Sequence, residues 1–154
     1  MEGYLHQINI SKGGVPKLPV SEAWVSTAGI LGDKQKNKRY HGGPERALCL
    51  FSLEEIECLQ KEGHLIFPGS TGENLTISFV DYANLTPGVT LQIGFHVLIQ
   101  ISSYTVPCRT IEASFQEGKV SRISQKLHPG SSRLYARVVR EGKIYAGDGI
   151  YKLA

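Results

Sequence analysis

VTLQIGFHVLIQIS, residues 89–102, is the stretch whose reading decides the fold. Two apolar runs, residues 89–93 and 95–102, flank a single glycine, Gly94. Short apolar runs of this kind read as strands, and a glycine between them reads as a hairpin turn. The same pattern recurs outward from it. Residues 74–78, 134–139, 143–145 and 150–153 are further strand-like runs, and Glu141-Gly142 predicts a second hairpin turn between two of them. Many short strands at close spacing argue for a barrel or folded sheet.

Upstream, residues 3–10 alternate well enough for a first strand. Residues 20–27 predict a second, with Ala23 and Val25 on one face and Trp24 on the other. Between them lies a loop, residues 12–17. Residues 32–44 form a long polar loop rich in Lys, Arg and Gly. Residues 47–51 are continuously apolar, as in a strand buried on both faces or a short helix start. Ser52-Leu53-Glu54-Glu55 then matches a capping box, with Ser52 as N-cap. A helix follows, with Leu53, Ile56, Leu59 and Gln60 on one face, and Gly63 ends it. Residues 112–133 break the β pattern. They are polar, carry Lys119, Arg122, Lys126, His128 and Arg133, and read as a functional or mobile loop.

The chain has 154 residues, 41% of them hydrophobic and 20% charged, which is ordinary for one globular domain spanning 1–154. A net charge of +3 suits anionic small molecules but is too weak to argue for a nucleic-acid polymer. No apolar run approaches the roughly 20 residues needed to span a bilayer. The first residues lack the basic and apolar blocks of a secretory leader. The three cysteines, Cys49, Cys58 and Cys108, are odd in number and have no close-spaced pair. That fits a cytoplasmic location and gives no zinc framework.

Cys108 draws attention because Pro107 precedes it and Arg109 follows it, just beyond an apolar run. Pro107 biases Val106 toward extended backbone, which puts the thiol where a strand stops. Positive charge beside a thiol favours the thiolate, the form that attacks electrophiles and binds soft metals. The other reading of Cys108 is a small buried hydrophobe. Cys49, inside an apolar run, should be protected. Cys58 sits among Glu54, Glu55 and Glu62, and negative neighbours raise a thiol pKa.

Three further stretches carry chemistry. Gly32-Asp33 and Tyr40-His41-Gly42-Gly43-Pro44 bracket a basic run, and paired glycines let backbone N–H groups approach an anion. His41 has no partner at metal-ligand spacing. Gly69 to Thr76 is a glycine-rich turn entering a strand, with Glu73 and Asn74 at the junction. A carboxylate and an amide there suit reading a heterocycle, or simply closing the turn. Tyr135-Ala136-Arg137-Val138 places Arg137 between apolar strand residues, where its planar fork suits a phosphate or carboxylate, or faces solvent. No P-loop, dinucleotide fingerprint or Ser-His-Asp order is legible.

Taken together and in order, these blocks resemble the MOSC domain, the module named from the C-terminal domain of molybdenum cofactor sulfurases. The resemblance rests on Gly32-Asp33, His41-Gly42-Gly43 with Arg46-Ala47-Leu48, Gly72-Glu73-Asn74-Leu75-Thr76, Pro107-Cys108, and Tyr135-Ala136-Arg137-Val138 through Gly147-Asp148. It implies a mainly β, barrel-like fold with few helices. It implies that the molybdenum cofactor, a molybdopterin, binds with the Cys108 thiolate on molybdenum. Cys108 and Asn74 would then be the catalytic residues. His41, Gly42, Gly43, Arg46, Glu73, Arg109, Tyr135 and Arg137 would hold the cofactor. Some family members reduce N-hydroxylated compounds, and others act in sulfur transfer. The expected function is therefore a reductase fed by a separate electron-donor protein, or a carrier that holds the cofactor or a Cys108 persulfide from a sulfur donor. The expected partner is an anionic small-molecule cofactor, with no nucleic-acid polymer and no membrane.

Overall fold

The computed structural model describes residues 2–34 and 43–153. Their strands are β1 (Gly3–Ile10), β2 (Leu18–Val20), β3 (Glu22–Ser26), β4 (Gly29–Ile30), β5 (Leu48–Ser52), β6 (Leu75–Phe79), β7 (Thr90–Ile93), β8 (Val97–Tyr104), β9 (Leu134–Arg140), β10 (Gly142–Tyr145) and β11 (Gly149–Lys152). Among the described residues one α-helix, α1 (Leu53–Lys61), and several short 3-10 turns join them.

Seven strands close into a barrel in the order β1-β6-β5-β9-β8-β7-β11, and β11 returns to pair with β1. Closure leaves no open edge among these seven. β2 hangs on β1 outside the ring. All ring pairs are antiparallel except β5 with β6. A parallel pair needs a crossover, and α1 begins the connection that supplies it. Leu5, Ile8, Leu50, Leu75, Ile77, Leu91, Ile99 and Ile150 fill the interior and are fully buried. Each contributes about 1.5–3 kcal/mol by leaving water.

The Gly94 hairpin forms as the sequence predicts, with Ile93 opposite Val97. The apolar run before α1 is the strand β5, buried at every position. Ser52 caps α1 by accepting the Glu55 N–H at 3.1 Å. Glu55 does not complete the capping box, because its carboxylate accepts the Ser131 hydroxyl at 2.8 Å.

Three expectations are corrected. The single strand expected over residues 20–27 is two strands in two sheets, since β2 pairs with β1 and β3 pairs with β10 and β4. Trp24 is exposed and Val25 buried, as alternation requires. Glu141-Gly142 is not a hairpin turn. β9 stays in the barrel while β10 crosses to the second sheet, with Gly142 opposite Val25. Turn residues signal a local reversal and cannot tell which strand the chain joins next. Of the two readings of residues 112–133, a functional or a mobile loop, mobility is overturned, because the segment is a tied-down wall. Phe115 and Ile123 are buried, and Arg122 grips Glu62 with two hydrogen bonds of 2.9 and 2.7 Å. No helix among the described residues is long and apolar enough to cross a membrane.

Candidate functional site

Side-chain alternation on β5, β8 and β9 builds the site. Leu48 and Leu50 on β5 lie opposite Ala136 and Leu134 on β9, and all four belong to the barrel core. The residues between them point the other way. Cys49 is opposite Tyr135, which in turn faces Ser103, and these three line a cavity of about 830 Å³ against the barrel's outer face. Loop residues Gly14, Val15 and Lys17 wall one side, and Val106, Pro107, Cys108, Arg109 and Ile111 wall another.

The lining is strongly cationic. Lys17, Lys34, Arg46, Arg109 and Arg133 all contribute, and no carboxylate is among the described lining residues. Lys17 is already neutralised, because it donates to Asp33 at 2.6 Å in a pair buried on both sides. Asp33 is held in turn by the Ser11 N–H at 2.9 Å and the Asn74 amide at 2.9 Å. Arg46 stacks over the Tyr135 ring, 5.6 Å from its centroid. Burial first, and then the neighbouring Cys49 thiol, push the Tyr135 hydroxyl up to about 12, so it stays protonated near neutral pH.

Cys108 is half-buried at the cavity rim, in extended backbone just before a 3-10 turn, Arg109–Ser114. The strand ends four residues earlier, at Tyr104, so the thiol stands just past a strand end as its sequence setting suggests. Arg109 is 94% exposed and meets Glu112 at 4.0 Å, so water and that carboxylate screen its charge. Cys49 is the second thiol of the cavity. It is buried, and its sulfur lies 3.7 Å from the Thr105 hydroxyl. Burial raises its pKa, with Arg133 opposing. Cys58 is exposed and away from the cavity lining.

Asn74 lines the floor, where its polar atoms hold the scaffold. Its carbonyl accepts the Cys49 backbone N–H at 3.0 Å, and its amide donates to Asp33. Both ends of its amide are thus engaged by the protein itself. Glu73 is fully buried and does not reach the cavity. Its carboxylate accepts from Gly69 N–H, Thr71 and Thr76 at 3.0, 2.8 and 3.0 Å, which closes the turn. Gly69 must be glycine there, since its φ is +91° and a Cβ would lie 2.3 Å from the Lys17 carbonyl.

Arg137 is also not brought to the cavity. It shares the outward face of β9 with Tyr135 but lies one strand repeat further along, about 7 Å. There Nε donates to Gln100 at 2.8 Å, and Nη2 bonds the same oxygen. Gly43 precedes the 3-10 turn Pro44–Arg46 with φ +94° and is exposed. His41 and Gly42 lie outside the described residues. Lys17, Thr71 and Arg133 are cavity residues missed in the sequence, whereas Lys34 belongs to the basic run between Gly32-Asp33 and the paired glycines and does line the cavity. Arg133 had a legible signal, because it sits two before Tyr135 and so shares its face.

This donor set fits an anionic cofactor that carries a thiophilic metal. Among the described residues it combines several cations, no lining carboxylate, a buried guanidinium and one accessible thiol. Among the described residues no cluster of three or more His, Cys, Asp or Glu side chains is arranged to hold a bare ion.

The family model of the MOSC domain matches residues 37–151. The chain belongs to the MOSC domain family. This MOSC protein is 29% identical over 129 residues to protein YiiM of Escherichia coli strain K12, covering 81% of the chain and 56% of that relative. It is 24% identical over 143 residues to YflK of Bacillus subtilis strain 168, covering 92% and 63%. A protein named reductase from Gibberella moniliformis is 27% identical over 129 residues, covering 81% of this chain and 22% of that one. The chain thus spans less than two thirds of the length of these relatives. Among solved structures, YiiM from Geobacillus stearothermophilus superposes with a TM-score of 0.77 at 23% identity, over 99% of this chain and 75% of that one. The YUAD protein from Bacillus subtilis does so at 0.77 and 20%, over 97% and 94%. These likenesses show the fold.

Proposed function

We propose that this MOSC protein binds the molybdenum cofactor in the cationic cavity and reduces N-hydroxylated small molecules with electrons from a separate donor protein. The observation that carries the reading is the juxtaposition of a half-buried thiol, Cys108, with a cavity lined by cations and, among the described residues, by no carboxylate. A soft thiolate suits a thiophilic metal, and the cations suit an anionic pterin. No cluster of described side chains holds a metal unaided, so the metal would arrive within a cofactor. The name of the Gibberella moniliformis relative favours a reductive role.

In this reading Cys108 supplies the protein's ligand to molybdenum. Lys34 and Arg46 offset the cofactor's negative charge. Lys17, Asp33 and Asn74 form the fixed floor that keeps the cavity open. Tyr135 is a neutral wall, held flat by Arg46. Val106, Pro107 and Ile111 make the rim apolar and limit water beside the thiol. The bound cofactor supplies the oxygen-atom chemistry, and the protein supplies binding, orientation and charge. The overall reaction takes two electrons and two protons, turning R–NH–OH into R–NH2 and water.

Turnover tests this. The full chain, produced in a host that makes the cofactor, should reduce an N-hydroxylated compound such as benzhydroxamic acid or a hydroxylaminopurine when a reductase system is added. Cys108→Ser should fall to background. Equal rates in both would sink the reading. Cyanide-released sulfur from Cys108 without any turnover would instead favour a sulfur carrier.

A further inference from the structure

Arg133 stands immediately before β9 with its side chain in the cavity wall and is 4% exposed. Its guanidinium makes one hydrogen bond, from Nη1 to the Thr71 carbonyl at 2.7 Å. The other two nitrogens, Nε and Nη2, are buried and without a partner. Those two form the side edge of the guanidinium, the edge that grips an oxyanion with two parallel N–H bonds. Arginine does not shed its proton in a protein, so this is a buried positive charge with its best donors idle. An uncompensated buried charge is costly to fold around.

Candidate counter-charges are otherwise engaged. Glu73 lies across Thr71, whose hydroxyl donates to it at 2.8 Å, but its carboxylate already accepts from three donors. No carboxylate of the described residues lies within 4.0 Å of Arg133. The Asp33 carboxylate serves Lys17, Ser11 and Asn74. No acid is among the described residues that line the cavity.

We propose that the Nε and Nη2 edge of Arg133 is the seat of a tetrahedral oxyanion, a phosphate or the phosphate monoester end of a larger ligand. The cavity is far larger than one such anion, so the monoester of an organic ligand fills it better. This rests on the cavity being the ligand site, and not on Cys108 or on molybdenum.

The test uses the full chain produced without molybdenum, so that its failure does not bear on the Cys108 reading. Inorganic phosphate and phenyl phosphate are titrated in parallel, read by thermal unfolding and by the NMR signals of the arginine Nε–H groups. Saturable binding with a midpoint near or below about 1 mM is expected, the range two charge-assisted hydrogen bonds can supply. One Nε–H signal, assigned as Arg133 by its absence from Arg133→Lys, should shift with the same midpoint. Arg133→Met should weaken binding at least tenfold. Tighter binding of phenyl phosphate identifies an organic monoester as the occupant, and equal binding identifies free phosphate. No saturation by about 20 mM, an unmoved Arg133 Nε–H, or an unchanged response in Arg133→Met would overturn the proposal. Should Arg133→Met fail to fold, the wild-type Nε–H signal alone decides.

Discussion

Cys108 and Cys49 line the same cavity under opposite conditions. Cys108 is at the rim, half-buried, on a chain segment past the end of β8. Cys49 is at the floor, buried inside β5, its backbone N–H held by Asn74. The rim leaves its thiol accessible to a ligand. The floor spends its polar atoms on one another: Lys17 on Asp33, Asp33 on Asn74, Asn74 on Cys49. Position in this cavity, and not residue type, sorts accessible groups from structural ones. Among the described residues, Arg133 alone breaks the pattern of the floor, being buried with idle donors.

The sharpest way to break the comparison is to cut the floor. Asp33→Ala leaves Lys17 buried without its counter-charge and frees the Ser11 and Asn74 donors. Removing one partner of a buried ion pair costs about 3–5 kcal/mol. Denaturant unfolding followed by Trp24 fluorescence should report a loss of that size. A loss below about 1 kcal/mol, the range of a surface pair, would mean that the floor is not the rigid element described.

Alkylation compares the two thiols directly. Mass spectrometry after brief iodoacetamide treatment at neutral pH should find Cys108 modified and Cys49 intact, with a rate ratio on the order of 100. Comparable rates would remove the distinction between rim and floor. Alkaline pH extends the test. Burial raises the Cys49 thiol above its ordinary value of 9.0. Burial likewise raises Tyr82 and Tyr135 above 10.0. The folded chain therefore keeps protons that the unfolded chain releases. Stability from these groups is whole below pH 9 and falls as the pH climbs toward the folded values. The urea midpoint should drop between pH 8 and pH 10.5, beyond what Cys49→Ala loses over the same span.

The smallest effect belongs to Arg137. It lies on β9 two residues beyond Tyr135 but bonds Gln100 outside the cavity. Arg137→Ala should cost about 1 kcal/mol or less and leave the chain's cofactor content as in wild type. A large loss of cofactor would return Arg137 to the site.

Much of the barrel was legible because alternation and turn residues are local signals. The Gly94 hairpin, the Ser52 cap and the end of α1 at Gly63 could all be read from neighbours in the chain. The expected barrel is present, but which strands close it was not legible, because β11 meets β1 through residues such as Gly3 and Ile150, at opposite ends of the chain. The crossing of β10 to β3 was hidden for the same reason. At the site, Cys108, Arg46, Asn74, Arg109 and Tyr135 do line one cavity. Glu73 and Arg137 do not. A carboxylate at a turn and an arginine in a strand show their residue type in the sequence, but not how far along the face the cavity reaches. Arg133 was overlooked because it sat in a segment that read as a polar loop. Burial of that segment depends on Phe115 and Ile123 packing into the core, a long-range event.

The central claim is that the cavity beside Cys108 holds the molybdenum cofactor. Its most direct test is molybdenum and pterin content per chain, after production in a host that makes the cofactor and gentle purification. Near one molybdenum and one pterin are expected for wild type, with molybdenum lost in Cys108→Ser while the chain stays folded. Wild type that carries neither, or Cys108→Ser that carries both as well as wild type does, would contradict it.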